Sequence, residues 1–331
     1  MSLRTQDPIV LLSAVIFAGV LLVFTFGFLI NWSRNRAAIE PYKRYGFRAV
    51  MIVVGLELLT VILSGGPLNF IGALILIGAI GWLMLRVWAF VNNGIFYSNQ
   101  LNVRSFPLIA PRLGLPAPSE PSAAVESTVS EIGSIEAALP SVRLPIEAAD
   151  PLEAVSSIGL TPPAVTPAII AAPIETPIPS IDWRQYWLTT VGVSLGAVIY
   201  TAILFAVTGP DIGAALREAI NANSHTVTLL TLVTLLEFAF TEELIFRLGI
   251  QNYLATKLQG RANGYWIAIV LTSIVWTLGH AGSLDPTWIK FAQIFPVGLA
   301  LGWLYRRNGT ESTIVAHALF NLAAAFVVAL P

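Results

Sequence analysis

The chain has 331 residues, of which 56% are hydrophobic and only 11% charged, against the roughly 25% charged of a soluble globular domain. A net charge of −1 argues against a nucleic-acid binder, which normally shows a basic patch or stripe. The absence of cysteine excludes disulfides, thiolate metal sites, a cysteine nucleophile, and S-acylation or prenylation of this chain. The mean hydropathy of +0.75 is carried by long apolar blocks between short polar loops, the pattern of a protein that crosses a bilayer several times. The expected fold is all-α, a polytopic integral membrane helix bundle.

A span needs about 20 mostly apolar residues. Eight stretches come near that, at 9–30, 49–63, 68–91, 186–207, 226–247, 265–280, 291–305 and 314–330. The first is too long for a signal-peptide core and has no small-residue cleavage pattern behind it, so it should stay as a helix. Residues 1–97 thus form an N-terminal three-span region. From 98 to 181 the composition changes: 14 of the 21 prolines fall here, with eight acidic residues, three arginines and a single aromatic, Phe106. So few large apolar side chains cannot offset the entropy of ordering, and the stretch is expected to be a disordered, Pro-rich acidic linker. Residues 182–331 then make a second membrane region. Arg34, Arg36, Lys43, Arg44 and Arg48 place the loop after the first span in the cytoplasm. Alternation from there puts the linker, the Lys257/Arg261 loop and the Arg306–Arg307 loop inside too, with both termini outside.

Ionisable side chains at membrane depth are costly, so each is a candidate functional group. Glu57 lies in the second expected span, Glu237, Glu242, Glu243 and Arg247 in the fifth, and His280 and His317 in the sixth and eighth. The third histidine, His225, lies in a polar loop. In FTEELIFR, residues four apart share a helix face, so Glu243 and Arg247 pair and Glu242 points elsewhere as the uncommitted carboxylate. A carboxylate taken out of water becomes a better base near neutral pH. WTLGH puts Trp276 and His280 one turn apart, and HALFN does the same for His317 and Asn321. Hydrolysis of an amide needs a water, a base and donors for the developing oxyanion. Glu242 with His280 can activate the water, and His317 with Asn321 can hold the oxyanion.

Glu–Arg pairs and buried histidines also serve as glue between membrane helices, and EExxxR or HxxxN alone is a weak signal. The combination on three spans of a charge-poor chain favours a catalytic site. A second reading makes His280, His317 and a glutamate a two-histidine, one-carboxylate zinc set; no HExxH string is present and nothing in the spacing requires a metal. A proton relay in a transporter is a third reading.

The ordered set Glu242-Glu243-xxx-Arg247, Trp276-xxx-His280 and His317-xxx-Asn321 resembles the CPBP family, the CAAX-protease and bacteriocin-processing (Abi) intramembrane endopeptidases, over about residues 186–330. The resemblance implies an all-helical membrane protease in which Glu242 and His280 activate water, His317 and Asn321 form the oxyanion site, and Glu243 and Arg247 support them. Trp276 stands where the family more often has phenylalanine, and is expected to keep the cavity wall. Family members have been assigned as metal-dependent and as glutamate-type peptidases, and the residue pattern favours the glutamate type without a cofactor. The expected partners are a protein or peptide substrate and the lipid bilayer, and the expected location is the plasma membrane of a prokaryote. The non-enzyme alternative is a membrane immunity or scaffold protein that keeps the fold and acts by binding.

Overall fold

The computed structural model describes residues 7–64, 70–108, 181–212 and 229–329. Most of the expected linker, His225 and the start of the fifth expected span lie outside the described residues. Nearly all that is described is helical. Helix α1 (Pro8–Arg34) begins with proline at its first position and with the Asp7 carboxylate accepting from the Ile9 amide at 2.9 Å, which satisfies an amide the helix itself cannot. A short helix α2 (Arg36–Ile39) and a 3₁₀ turn lead into α3 (Lys43–Ser64), followed by α4 (Phe70–Gln100). Helix α5 (Trp183–Thr208) is capped by Asp182, whose carboxylate accepts from the Gln185 amide, and stops at Gly209 in the left-handed region. Then come α6 (Leu229–Glu242), a π-helical segment (Glu243–Gln251) and α7 (Asn252–Lys257), which run on without a break. Helices α8 (Gly264–Leu278), α9 (Thr287–Asn308) and α10 (Thr310–Ala329) complete the bundle. A two-residue antiparallel pair, Asp211 with Asp285 and Ile212 with Leu284, ties the end of α5 to the α8–α9 connection.

Among the described residues four stretches are long and apolar enough to cross a membrane, Pro8–Arg34, Arg36–Ser64, Gly72–Gln100 and Trp183–Thr208, and α8 is a shorter apolar helix. Their outer faces carry large exposed side chains such as Val23, Ile62, Ile75 and Val207, each more than two-thirds exposed. In water such surfaces would drive aggregation; against lipid tails they are solvated. The remaining expected spans map onto α6 with its continuation, α9 and α10, which bring the chain's intramembrane polar groups together.

The fifth expected span differs most from expectation, because it continues past Arg247 to Lys257. Its π-helical part is wholly buried. Two carboxamides lock it to its neighbours. Gln251 donates to the Gly302 carbonyl of α9 at 3.0 Å, and Asn252 donates to the Tyr305 hydroxyl at 2.6 Å. On the other side α4 approaches so closely that a Cβ at Gly94 would stand 2.5 Å from the Leu248 carbonyl oxygen, so only glycine permits this contact. The N-terminal helices therefore pack directly on the segment that bears the charged groups. The chain also stays packed beyond Ser98, where the linker was expected to begin. Val103 and Phe106 join the apolar cluster of α3 and α4, and the Ser105 carbonyl accepts from the Thr310 amide at 2.8 Å. These few apolar side chains suffice because they cap an existing core.

Candidate active site

Glu242 is the last residue of α6, and Glu243 opens the π-helical segment. Such wide turns occur often at functional sites. The two carboxylates point to different surroundings, as the helical spacing predicts. Glu243 is fully buried with Arg247, whose Nε lies 3.5 Å from Glu243 Oε2. The guanidinium carbon lies 4.9 Å from the centre of the Trp276 ring, stacked on its face. On its other oxygen, Glu243 accepts from His317 Nδ1 at 2.9 Å. Glu243 Oε2 and the three Arg247 nitrogens make no hydrogen bond among the described residues, so charge attraction and stacking on Trp276 hold the guanidinium.

Glu242 remains about one-quarter exposed. Trp276 Nε1 donates to its Oε2 at 2.5 Å. His280 Nε2 lies 4.0 Å and His317 Nε2 3.9 Å from the same oxygen. The imidazoles are oriented from behind, because His280 Nδ1 bonds the Trp276 carbonyl at 2.9 Å while His317 Nδ1 bonds Glu243. With Nδ1–H donating in each ring, Nε2 is the nitrogen presented to Glu242. Both rings also pack edge-on to Trp276, with centroids at 4.9 and 5.4 Å. Separations near 4 Å are too long for direct hydrogen bonds and suit groups that share one intervening water.

The convergence depends on where helices end. Helix α8 stops at Leu278, and the turn through Gly279 carries His280 just beyond it, with the His280 amide bonded to the Thr277 carbonyl. Helix α10 begins at Thr310 directly after Gly309, whose positive φ of 85° makes the sharp reversal from α9. His317 lies two turns into α10. Asn321, one turn further and partly buried, has no hydrogen-bond partner among the described residues, which leaves its carboxamide free to donate to a bound group.

Of the residues singled out from sequence, Glu242, Glu243, Arg247, Trp276, His280 and His317 stand in one contact network with Asn321 beside it, and Glu57 and Glu237 are not part of that network. Trp276 does more than line the wall, since its indole N–H fixes the Glu242 carboxylate, a contact phenylalanine cannot make. Sequence reasoning also passed over Arg86, inside the third expected span. Its charge, with that of Glu57, acts on the buried Glu237 one turn before Thr241, and Thr241 donates to Glu237 at 3.2 Å. An arginine within an apolar run was the available signal.

The three converging atoms do not fit a zinc ion as they stand. Ligand bonds of about 2.0–2.2 Å put tetrahedral donors roughly 3.3 Å apart, closer than the 3.9 and 4.0 Å seen, and Oε2 already accepts from Trp276. Among the described residues no group of three His, Cys, Asp or Glu side chains has metal-holding geometry.

Residues 224–323 match the family described as type II CAAX prenyl endopeptidase Rce1-like. Comparison with curated proteins gives no match, and comparison with solved structures gives none. The matched segment contains every residue of the cluster, while α1, α3, α4 and α5 lie outside it.

Trp276→Phe keeps the ring that packs on both imidazoles and removes the donor to Glu242. A hydrogen bond to a charged group contributes about 1.5–3 kcal/mol, so turnover should fall by about tenfold or more with KM and the melting temperature little changed. Steady-state kinetics and thermal melting of the purified variant check this.

Proposed function

We propose that the chain is an endopeptidase that hydrolyses a peptide bond of a protein or peptide segment at the membrane, using a water activated by Glu242 and His280 without a covalent intermediate. The observation that carries the reading is the approach of His280 Nε2 and His317 Nε2 to one oxygen of the partly exposed Glu242, at 4.0 and 3.9 Å. A water between Glu242 and His280 gives one hydrogen to the carboxylate and one to the imidazole lone pair, which aims its oxygen lone pair at the scissile carbonyl. Glu242 takes the proton as the C–O bond forms, and the carbonyl π electrons move to oxygen. His317 with a proton on Nε2, its charge balanced by Glu243, donates to that oxyanion, and the Asn321 carboxamide is the second donor. The Glu242 carboxylic acid then returns the proton to the departing nitrogen as the C–N bond breaks. The products are a new carboxylic acid and a new amine, the acid then passing its remaining proton to the amine or to water as it leaves, and the site regains its starting protonation.

The alternation of basic loops supports a multi-pass protein of the plasma membrane of a prokaryote, with both termini outside. Mass spectrometry of membranes containing wild type or Glu242→Gln tests the function. New peptide termini present only with wild type establish the peptidase and name its substrates. Identical maps at equal expression overturn it in favour of a binding protein that retains the fold.

A further inference from the structure

The N-terminal helices carry a second polar feature that the acid–histidine cluster does not involve. Helices α3 and α4 come together where a Cβ at Gly46 would stand 2.5 Å from the Asn92 side-chain oxygen. Beside that contact the same two helices line a cleft of about 420 Å³ with Lys43, Arg44, Phe47, Arg48 and Trp88, within the size range of small-molecule sites. Three of these five side chains are cations and none is an acid. Lys43 shares the Glu40 carboxylate with Arg36. Arg44 and Arg48 make no ion pair and no side-chain hydrogen bond among the described residues. They stand four residues apart, so the helix stacks two like charges on one face, and an anion held between them relieves their repulsion.

The apolar part of the cleft says which anion. Phe47 is more than half exposed. Trp88 is partly buried and packs edge-on against Trp32, with ring centroids 5.0 Å apart. Indoles and a phenyl ring beside arginines, at the end of a membrane-spanning stretch, are suited to the level of the lipid headgroups. A free phosphate makes no use of the apolar wall, whereas a phospholipid uses both the cations and the rings. The alternation of basic loops turns this end of α3 toward the cytoplasm, where anionic lipids give the leaflet a negative potential and basic pockets between membrane helices hold their headgroups.

We infer that the cleft between α3 and α4 binds an anionic phospholipid of the cytoplasmic leaflet, with its phosphate between Arg44 and Arg48 and its glycerol and upper acyl chains against Phe47 and Trp88. The inference is independent of the peptidase reading.

Native mass spectrometry of the purified full chain in detergent tests it, with phosphatidylglycerol or phosphatidylcholine of the same acyl chains added. Wild type should retain one phosphatidylglycerol at concentrations where phosphatidylcholine is not retained. Arg44→Gln with Arg48→Gln should weaken that binding about 30-fold, from two surface charges at about fivefold each. If this pair does not fold, Arg44→Gln and Arg48→Gln singly should each show the fivefold loss. Lys257→Gln with Arg261→Gln removes the same charge from another loop and should leave the binding unchanged. Phe47→Gln should weaken it, and glycerol phosphate, the headgroup without its tails, should not displace the lipid. Equal retention of the two lipids, or an equal loss in the Lys257 and Arg261 variant, overturns the inference in favour of a general effect of surface charge. Displacement by glycerol phosphate overturns it in favour of a site for a free anion.

Discussion

Glu242→Gln should abolish proteolysis, lowering kcat by about 10³-fold or more, with the melting temperature unchanged. The magnitude follows from the loss of a general base, which contributes about 10²–10⁴. The carboxamide preserves shape, and its oxygen can still accept from Trp276 Nε1, so the indole should hold the side chain in place. What it cannot do is take a proton from water. Stability should not suffer, because Glu242 is partly exposed and its nearest imidazoles stand about 4 Å away rather than in direct bonds. Kinetics on the purified variant, with thermal melting alongside, checks both halves. Retained cleavage would show that the proton goes elsewhere.

The largest effect on stability belongs to the neighbouring pair. Arg247→Met should cost about 3–5 kcal/mol, because removing one partner leaves the fully buried Glu243 uncompensated. Activity should fall as well, since Glu243 also holds His317 by Nδ1. The double variant Glu243→Leu with Arg247→Met should be more stable than Arg247→Met alone, because the buried Glu243 carboxylate is no longer left without its arginine, yet it should be inactive because His317 has lost its orienting acceptor. Melting temperatures of the three proteins in one detergent decide this; additive losses would show that the pair does not interact.

The site was legible in the sequence to the extent that helical spacing encodes it. Four-residue intervals placed Glu243 with Arg247 and separated Glu242 from both, because adjacent positions on any helix point in different directions. The same rule set His280 beside Trp276. What spacing cannot encode is contact between helices. The bond from Trp276 Nε1 to Glu242 joins residues 34 apart in sequence, and the bond from His317 to Glu243 joins residues 74 apart. The π-helical segment had no local signal, because Glu243–Gln251 reads as a continuous amphipathic run; its wider turn is imposed by α4 at Gly94 and by the Gln251 and Asn252 bonds. The packed stretch up to Leu108 was hidden by composition, since residues 101–108 resemble the proline-rich region that follows them and owe their order to docking on Gly309, Thr310 and Glu311.

The joint action of Glu242 and His280 on one water is tested most directly by a kinetic cycle of Glu242→Gln, His280→Ala and the double variant on a substrate identified from the membrane maps. Residues that serve one step are strongly non-additive. The double variant should therefore be no slower than the more damaged single variant, within a few-fold. Losses that multiply, with the double variant slower by the product of the two single effects, would show that Glu242 and His280 act independently and would contradict a shared water.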